Sequence, residues 1–316
     1  MRLTTTLIAT FALQTVSVDA ATTGAQHASH PASRHCGSHY APEAAIRAAK
    51  SLKLEKRSRG GHAQLLGSYK RPEGLVIPTY LHVIESKKKA GFVKQQWLYD
   101  QMKVLNETYA PHNIQFVLKN ITRTVNDKWA ANDLSKDKSL ALRQGGYDEL
   151  NIYFETGLMA EDVSTGICTF PVKDPVHEGE DGTPYAVLDG CHVNPGTLPG
   201  GPGQTWQPKD NKGKLATHEV GHWFGLFHTF SGTNCTGEGD MVSDTPAEGA
   251  PTNGGCPTGK DSCPDRPGLD PIHNYMDYAD QDCQHEFTPG QEDRMYMSFN
   301  TLRKGRTFDI QKLGPI

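Results

Sequence analysis

The chain has no basic excess. Lys and Arg number 32 against 36 Asp and Glu, for a formal net charge of -4. A surface of that balance has little to set against a phosphate backbone, so nucleic acid is not expected as a partner. Nor is there a second long apolar run. The first twenty residues open with Met1-Arg2, continue as a mostly apolar, Thr-rich stretch from Leu3 to Val18, and end at Asp19-Ala20. That order fits a secretory signal peptide cut near Ala20, and the stretch is too short and too Thr-rich to span a bilayer permanently. A secreted, extracellular protein follows as the expectation, with no membrane partner and no nucleic acid. Internal repeats are absent too, and a monomer is expected.

Large apolar residues are scarce between residues 21 and 71, where Ala, Ser, His, Lys and Arg dominate. Such a segment cannot build much core. It ends among two dibasic pairs, Lys56-Arg57 and Lys70-Arg71. It reads as a propeptide, residues 21–71, ahead of a catalytic domain over 72–316; the other reading is a disordered extension.

Regular patterning begins near Leu75. Leu75–Ile84 reads as a strand, and Lys94–Tyr109 as a helix with Trp97, Leu98, Met102, Leu105 and Tyr109 at helical spacing. Ile114–Ile121 and Leu150–Phe154 read as strands, with a weaker helix over Asp133–Arg143 between them. Gly166–Pro171 and Tyr185–Val193 suit short strands. Lys214–Phe224 is a helix, and Gly290–Leu302 another. Between Thr229 and Ile272 the chain is crowded with Gly, Pro, Asp and Cys and has no helical period. A stretch of that kind needs cross-links.

Seven cysteines are present: Cys36, Cys168, Cys191, Cys235, Cys256, Cys263 and Cys283. In an oxidising compartment most should pair, and one must be left over. Sequons at Asn106, Asn120 and Asn234 are consistent with secretion and weak alone.

The chemistry is concentrated in His218-Glu-Val-Gly-His-Trp-Phe-Gly-Leu-Phe-His228. Two histidines four apart on a helix share one face and can share one tetrahedral zinc. Glu219 is held beside the metal, placed to take a proton from water. Gly225 can take positive φ, which stops the helix and lets His228 return as a third ligand. Three protein ligands leave a fourth position open, the mark of a catalytic rather than a structural zinc. The full run should arise by chance in only about one chain in ten thousand, against a few per cent for a bare His-Glu-x-x-His.

This run resembles the extended zinc motif of the metzincins. Asn274-Tyr275-Met276-Asp277-Tyr278 resembles their Met-turn, with Met276 as an apolar base under the metal and Tyr278 as a group able to hydrogen-bond the tetrahedral intermediate. Within the clan the chain resembles the pappalysin-like family and its secreted fungal extracellular metalloproteases. The resemblance rests on Gly166-Ile-Cys-Thr-Phe-Pro171, Asp240-Met-Val-Ser-Asp-Thr-Pro246, the Met-turn, and Cys283 followed by Phe287-Thr-Pro-Gly-Gln291. It covers about residues 75–302. It implies an α+β, metzincin-type zincin domain, a twisted mixed sheet with backing helices above an irregular, disulfide-linked lower half. It also implies pairings: Cys235–Cys263 and Cys256–Cys283 in the lower half, which leaves Cys168–Cys191 as a third bridge.

Cys36, in Arg34-His-Cys-Gly37, resembles the short Arg-x-Cys-Gly elements that silence several metzincin zymogens, with a thiolate at the metal's fourth position; a free cysteine is the other reading. Asp240, Asp244 and Thr245 sit where loops of some relatives bind calcium, or form a solvated acidic loop. Asp282 stands where an acid in one branch lines the P1′ pocket, or is a plain surface acid. The expected activity is zinc-dependent endopeptidase action on extracellular protein, for nutrient breakdown or host-tissue degradation, with the substrate strand on a sheet edge near residues 185–193. The rivals are a secreted zinc-containing binding protein, for which an intact Glu219 is unneeded, and a zinc deacetylase, for which the Met-turn is.

Overall fold

A computed structural model describes residues 36–38, 41–58, 73–131, 134–158, 165–203 and 209–313. The signal segment 1–20 and the Lys70-Arg71 pair lie outside them. In chain order the elements are α1 (Glu43–Ser58), β1 (Leu75–Glu85), α2 (Gln95–Tyr109), β2 (Ile114–Val125), α3 (Asp127–Ala130), α4 (Lys136–Leu142), β3 (Leu150–Glu155), β4 (Gly166–Cys168), β5 (Gly179–Glu180), β6 (Thr183–Pro184), α5 (Tyr185–Leu188), β7 (Cys191–Val193), α6 (Lys214–Trp223) and α7 (Pro289–Ser298).

Five strands form a mixed sheet in the order β2-β1-β3-β7-β4. The first four run parallel, and β4 runs antiparallel to β7 at the edge. The parallel pairs need crossovers, which α2 and the α3–α4 segment provide. α2 buries Leu98, Met102, Leu105 and Tyr109, one residue per turn along a single stripe. That stripe meets Leu81, Val83, Ile152 and Phe154 of the sheet and Val220, Trp223 and Phe224 of α6 in one continuous core. Each buried Leu or Phe of this set stabilises the fold by about 1.5–3 kcal/mol. Polar ties then fix α2 against α6: Tyr109 donates its hydroxyl to Thr217 O at 2.9 Å, and Gln101 donates to Gly213 O at 2.9 Å.

Below α6 the chain follows the expected irregular path, with no strand or helix between Phe224 and Pro289 except an isolated bridge from Asn274 to Glu286. Three disulfides cross-link the molecule: Cys168–Cys191 between β4 and β7, and Cys235–Cys263 and Cys256–Cys283 in the lower half.

Three sequence expectations need correction. Tyr185–Val193 is not one strand: Tyr185–Leu188 is a helical turn and only Cys191–Val193 pairs. A short apolar run buried on every side carries no period to tell the two apart. The strand portion is interior to the sheet, so the edge lies at β4 instead. The carboxy-terminal helix keeps α geometry only to Ser298 and then widens into a π-turn over Phe299–Arg303. Finally, the described part of the 21–71 segment does pack. The α1 helix buries Ala44, Ala45 and Ala49 against Phe170, Val172 and Phe227, and Ala48 and Leu52 against Leu302. Small residues let a helix sit close to its neighbours, which an estimate from large apolar side chains alone overlooks.

Candidate metal centre

α6 starts at Gly213, in the left-handed region at φ 75°, and is buried along nearly its whole length. His218 and His222 therefore project from a helix packed along nearly its whole length. Gly225 follows at φ 89°, and a Cβ there would also lie 2.6 Å from Ser298 Oγ. Glycine is needed at this position both for the turn and for the close approach of α7. The turn brings His228 back, so that the three Nε2 atoms stand 3.1–3.2 Å from one another.

The ring hydrogens explain what that triangle can hold. His218 Nδ1 donates to Tyr275 O at 2.6 Å, and His222 Nδ1 donates to Leu226 O at 2.8 Å. With Nδ1 protonated, each neutral ring turns an Nε2 lone pair to the centre. Converging lone pairs repel unless a cation sits between them. The spacing matches the roughly 3.3 Å edge of a tetrahedron with 2.0–2.1 Å metal–nitrogen bonds.

Two other glycines shape the surroundings. A Cβ on Gly221 would strike Met276 Sδ at 2.5 Å, so Met276, fully buried, packs directly against the face of α6. A Cβ on Gly166 would meet Glu219 Oε1 at 2.7 Å. The β4 edge thus passes close above Glu219 only because residue 166 lacks a side chain. The turn over Asn274–Tyr278 is pinned by Asn274, whose Oδ1 accepts from Met276 N and from Gln291 Nε2, while its Nδ2 donates to Gln291 Oε1. Phe230 stacks on His228 at 4.8 Å and 7°, a wall the sequence reading missed although it stands two residues past the motif.

Glu219 is fully buried, and burial pushes its carboxyl up to about 8. Tyr278 Oη stands 3.2 Å from His228 Nε2 and donates to Cys36 O at 3.5 Å. Cys36 Sγ lies 3.3 Å from His222 Nε2 and 3.5 Å from Glu219 Oε2, so the structure gathers Cys36, His218, His222 and His228 into one four-donor group. Burial, and then the Glu219 charge, push this thiol well above its ordinary range. A cation held by the three imidazoles would reverse that preference. Cys36 does not reach the site alone. Gly37 N donates to Gly166 O at 2.6 Å, and Ser38 Oγ bridges Cys168 N and Cys168 O at 3.1 Å each, so residues 36–38 lie along the β4 edge like an added strand.

Comparison with known proteins decides the class. The M43 peptidase family, described as pregnancy-associated plasma protein-A, matches residues 204–300. An extracellular metalloprotease of Pyricularia oryzae is 43% identical over 273 residues, 86% of this chain and 90% of that relative. The chain belongs to the pappalysin family. Extracellular metalloprotease 1 of Coccidioides posadasii is 42% identical over 86% of this chain and 91% of its own length. Among solved structures, mature mirolysin of Tannerella forsythia has a TM-score of 0.58 at 23% identity, covering 78% of this chain and all of that one. A mutant promirolysin reaches 0.59 at 24% identity over 90% of this chain and all of that one. These structures share the fold. The pappalysin chain described here is a metalloendopeptidase, and the binding-protein alternative falls away.

The remaining expected positions of this pappalysin sort clearly. A cavity beside His218 is lined by Asp210, Lys214, Leu215, Tyr278, Gln281 and Gln284. Asp282 is not part of that lining; its side chain is 65% exposed and paired with Lys212. A buried acid that does line it is Asp210, which accepts from Gln281 and is pushed up to about 7 by burial. In the loop below, both oxygens of Asp244 are engaged at the start of α7, with Thr288 Oγ1 and Gly290 N at 2.8 Å each. Asp240 is buried beside Thr245, its carboxyl raised to about 7 by burial. Asn106 is unsuited to carry a glycan. Its amide nitrogen donates to Met102 O and Phe116 O, and its oxygen accepts from Phe116 N, locking α2 to β2. Asn120 and Asn234 are exposed.

Proposed function

We propose that the chain is a secreted zinc endopeptidase made as a latent precursor. In this reading His218, His222 and His228 hold the zinc, Glu219 is the general base and acid, Tyr278 supports the oxyanion, and Met276 is the apolar floor. The triangle of Nε2 lone pairs, set at metal-ligand spacing with their Nδ1 hydrogens tied to carbonyls, carries the reading. Zinc fits this set of three imidazoles better than a hard cation, which prefers oxygen. When bound, zinc supplies a Lewis acid that polarises the scissile carbonyl and makes water acidic enough to lose a proton near neutral pH.

The side chains do the rest. Glu219, in a dry pocket with a raised pKa, takes the proton of the attacking water and returns it to the leaving amine. Tyr278 Oη, close to His228, donates to the oxygen on which charge develops. A substrate strand takes the place of residues 36–38 along β4, its N–H donating to Gly166 O as Gly37 does now. The cavity lined by Asp210, Gln281 and Gln284 receives the side chain that follows the scissile bond.

Cys36 closes the site in the precursor as a fourth ligand, and α1 anchors it by packing on Phe170 and Phe227. Residues 1–20 act as the signal, 21–71 as the propeptide and 72–316 as the mature enzyme, a monomer acting on extracellular proteins or peptides. Asn120 and Asn234 carry the glycans. A calcium ion, if taken up, lies at Asp240 and Thr245 rather than at the occupied Asp244. The test is Glu219→Gln. It should keep one zinc per chain yet cleave casein about 10²–10⁴-fold more slowly. Near-normal cleavage by that variant would sink the assignment.

A further inference from the structure

We propose that the face under α1 is an interaction surface in its own right, whose partner is the segment carrying Cys36 and α1 after that segment has been cut from the chain. The cut does not by itself open the site. Dissociation of the segment does, a second step that rests on residues 21–71 being the propeptide.

The contacts that seat α1 run from Ala44 to Leu52. Lys56-Arg57 and Lys70-Arg71 both follow them in the chain. A cut at either pair breaks none of these contacts. It also spares the bonds of residues 36–38 to Gly166 and Cys168. What the cut removes is the tether. In the intact chain α1 meets its groove at the high local concentration that a short link imposes. Once cut, its occupancy depends on how dilute the protein is.

The groove fits a helix with a small-residue face. Ala44, Ala45 and Ala49 lie on Phe170, Val172, Tyr185 and Phe227, while Ala48 and Leu52 meet Leu302. Charge sets the register. Arg47 pairs with Glu178, and Lys50 stands 3.4 Å from Glu238, with both bases on α1 and both acids on the body it covers. The groove also flanks the metal centre: the Phe170 ring lies 5.0 Å from that of His222, and Phe227 directly precedes His228.

The same face tolerates water. A small cavity under α1 is lined by Ala45, Ala49 and Leu52 on one side and by Arg294 and Ser298 among others on the other. Arg294 Nη1 and Ser298 Oγ are buried with no hydrogen-bond partner among the described residues. Both regain water when α1 leaves, which offsets part of what its apolar contacts gain. A face of this mixed kind suits a partner that comes off, unlike a wholly apolar core.

The test uses the full chain with a site for a sequence-specific protease placed within residues 59–69, and Glu219→Gln to prevent self-digestion. After the cut, at about 10 μM, the segment should co-elute with the body in size exclusion, and about a thousandfold dilution should free it. Ala49→Lys sets bulk and positive charge beside Arg294 and should free the segment at the higher concentration. Cys36→Ala should not, which separates the groove from the thiol. Arg47→Glu, at the surface, should weaken retention about threefold, and adding Glu178→Arg should restore it. That pair tests the groove even should Ala49→Lys fold poorly. In the cut chain that keeps Glu219, casein cleavage should appear on dilution; release of the segment without cleavage would fault the catalytic reading and leave the groove standing. A segment that departs at about 10 μM as soon as it is cut, or as readily in Cys36→Ala as in Ala49→Lys, would overturn the proposal.

Discussion

At the scale of single residues, the centre works by exclusion as much as by contact. The side chains that Gly166 and Gly221 lack leave the space that lets β4 pass over Glu219 and Met276 press on α6. Gly221→Ala should therefore fold less stably and hold zinc more loosely, since the new methyl meets Met276 Sδ; a melting curve with and without chelator reads both effects. In the proposed mechanism, Tyr278→Phe removes one donor aimed at developing charge. It should lower kcat about 10²–10³-fold while leaving zinc content and KM nearly unchanged. A variant with normal kcat would leave Tyr278 only its packing against Phe230. Cys36→Ala should let the uncut precursor cleave a short peptide. A precursor variant that stays silent would mean that α1 and residues 37–38 block the cleft without any thiolate.

At the scale of elements, the lower half is held by charge as well as by disulfides. Glu248 accepts from Thr229 Oγ1 at 2.6 Å and pairs with Lys260 at 2.8 Å, and Lys260 also pairs with Asp270. Burial, with the charge of neighbouring Asp277, pushes Glu248 from 4.5 up to about 8, and Asp277 is raised as well. Carboxyls raised on folding bind more protons in the folded state than in the unfolded one. Their contribution is full below the unfolded pKa and is lost as pH rises through the folded value. The melting temperature should fall between about pH 5 and about pH 8.5, and Glu248→Gln should flatten that fall. Equal slopes in the two proteins would show that the Lys260 pair already neutralises Glu248. Removing the Cys256–Cys283 bridge opens a loop of 27 residues. Its loss should cost about 3–4 kcal/mol, read from denaturant unfolding.

At the scale of the molecule, what the sequence reveals follows from how local each signal is. The α2 stripe and the β1, β2 and β3 runs are legible because one face of each meets the core and the residue period survives. The His218–His228 run is legible because helix spacing and a single glycine at positive φ bring its three histidines together. Tyr185–Leu188 is misread because it is buried on all sides. The α1 helix is missed because its packing face is alanine, and a composition count weighs large side chains. Asp282 lies at the surface paired with Lys212, seventy residues earlier in the chain, and no local pattern reports such a pair. The sequon at Asn106 looks like any other until the fold turns its amide inward to β2.

The central claim is that peptide hydrolysis depends on zinc held by His218, His222 and His228. It is tested most directly by zinc content and casein cleavage measured together on the processed protein, before and after chelation, with zinc then restored. One zinc per chain, cleavage lost with the metal and regained with it, and no recovery in His222→Ala is the predicted result. Cleavage that survives complete removal of the metal, or that His222→Ala retains, would contradict it.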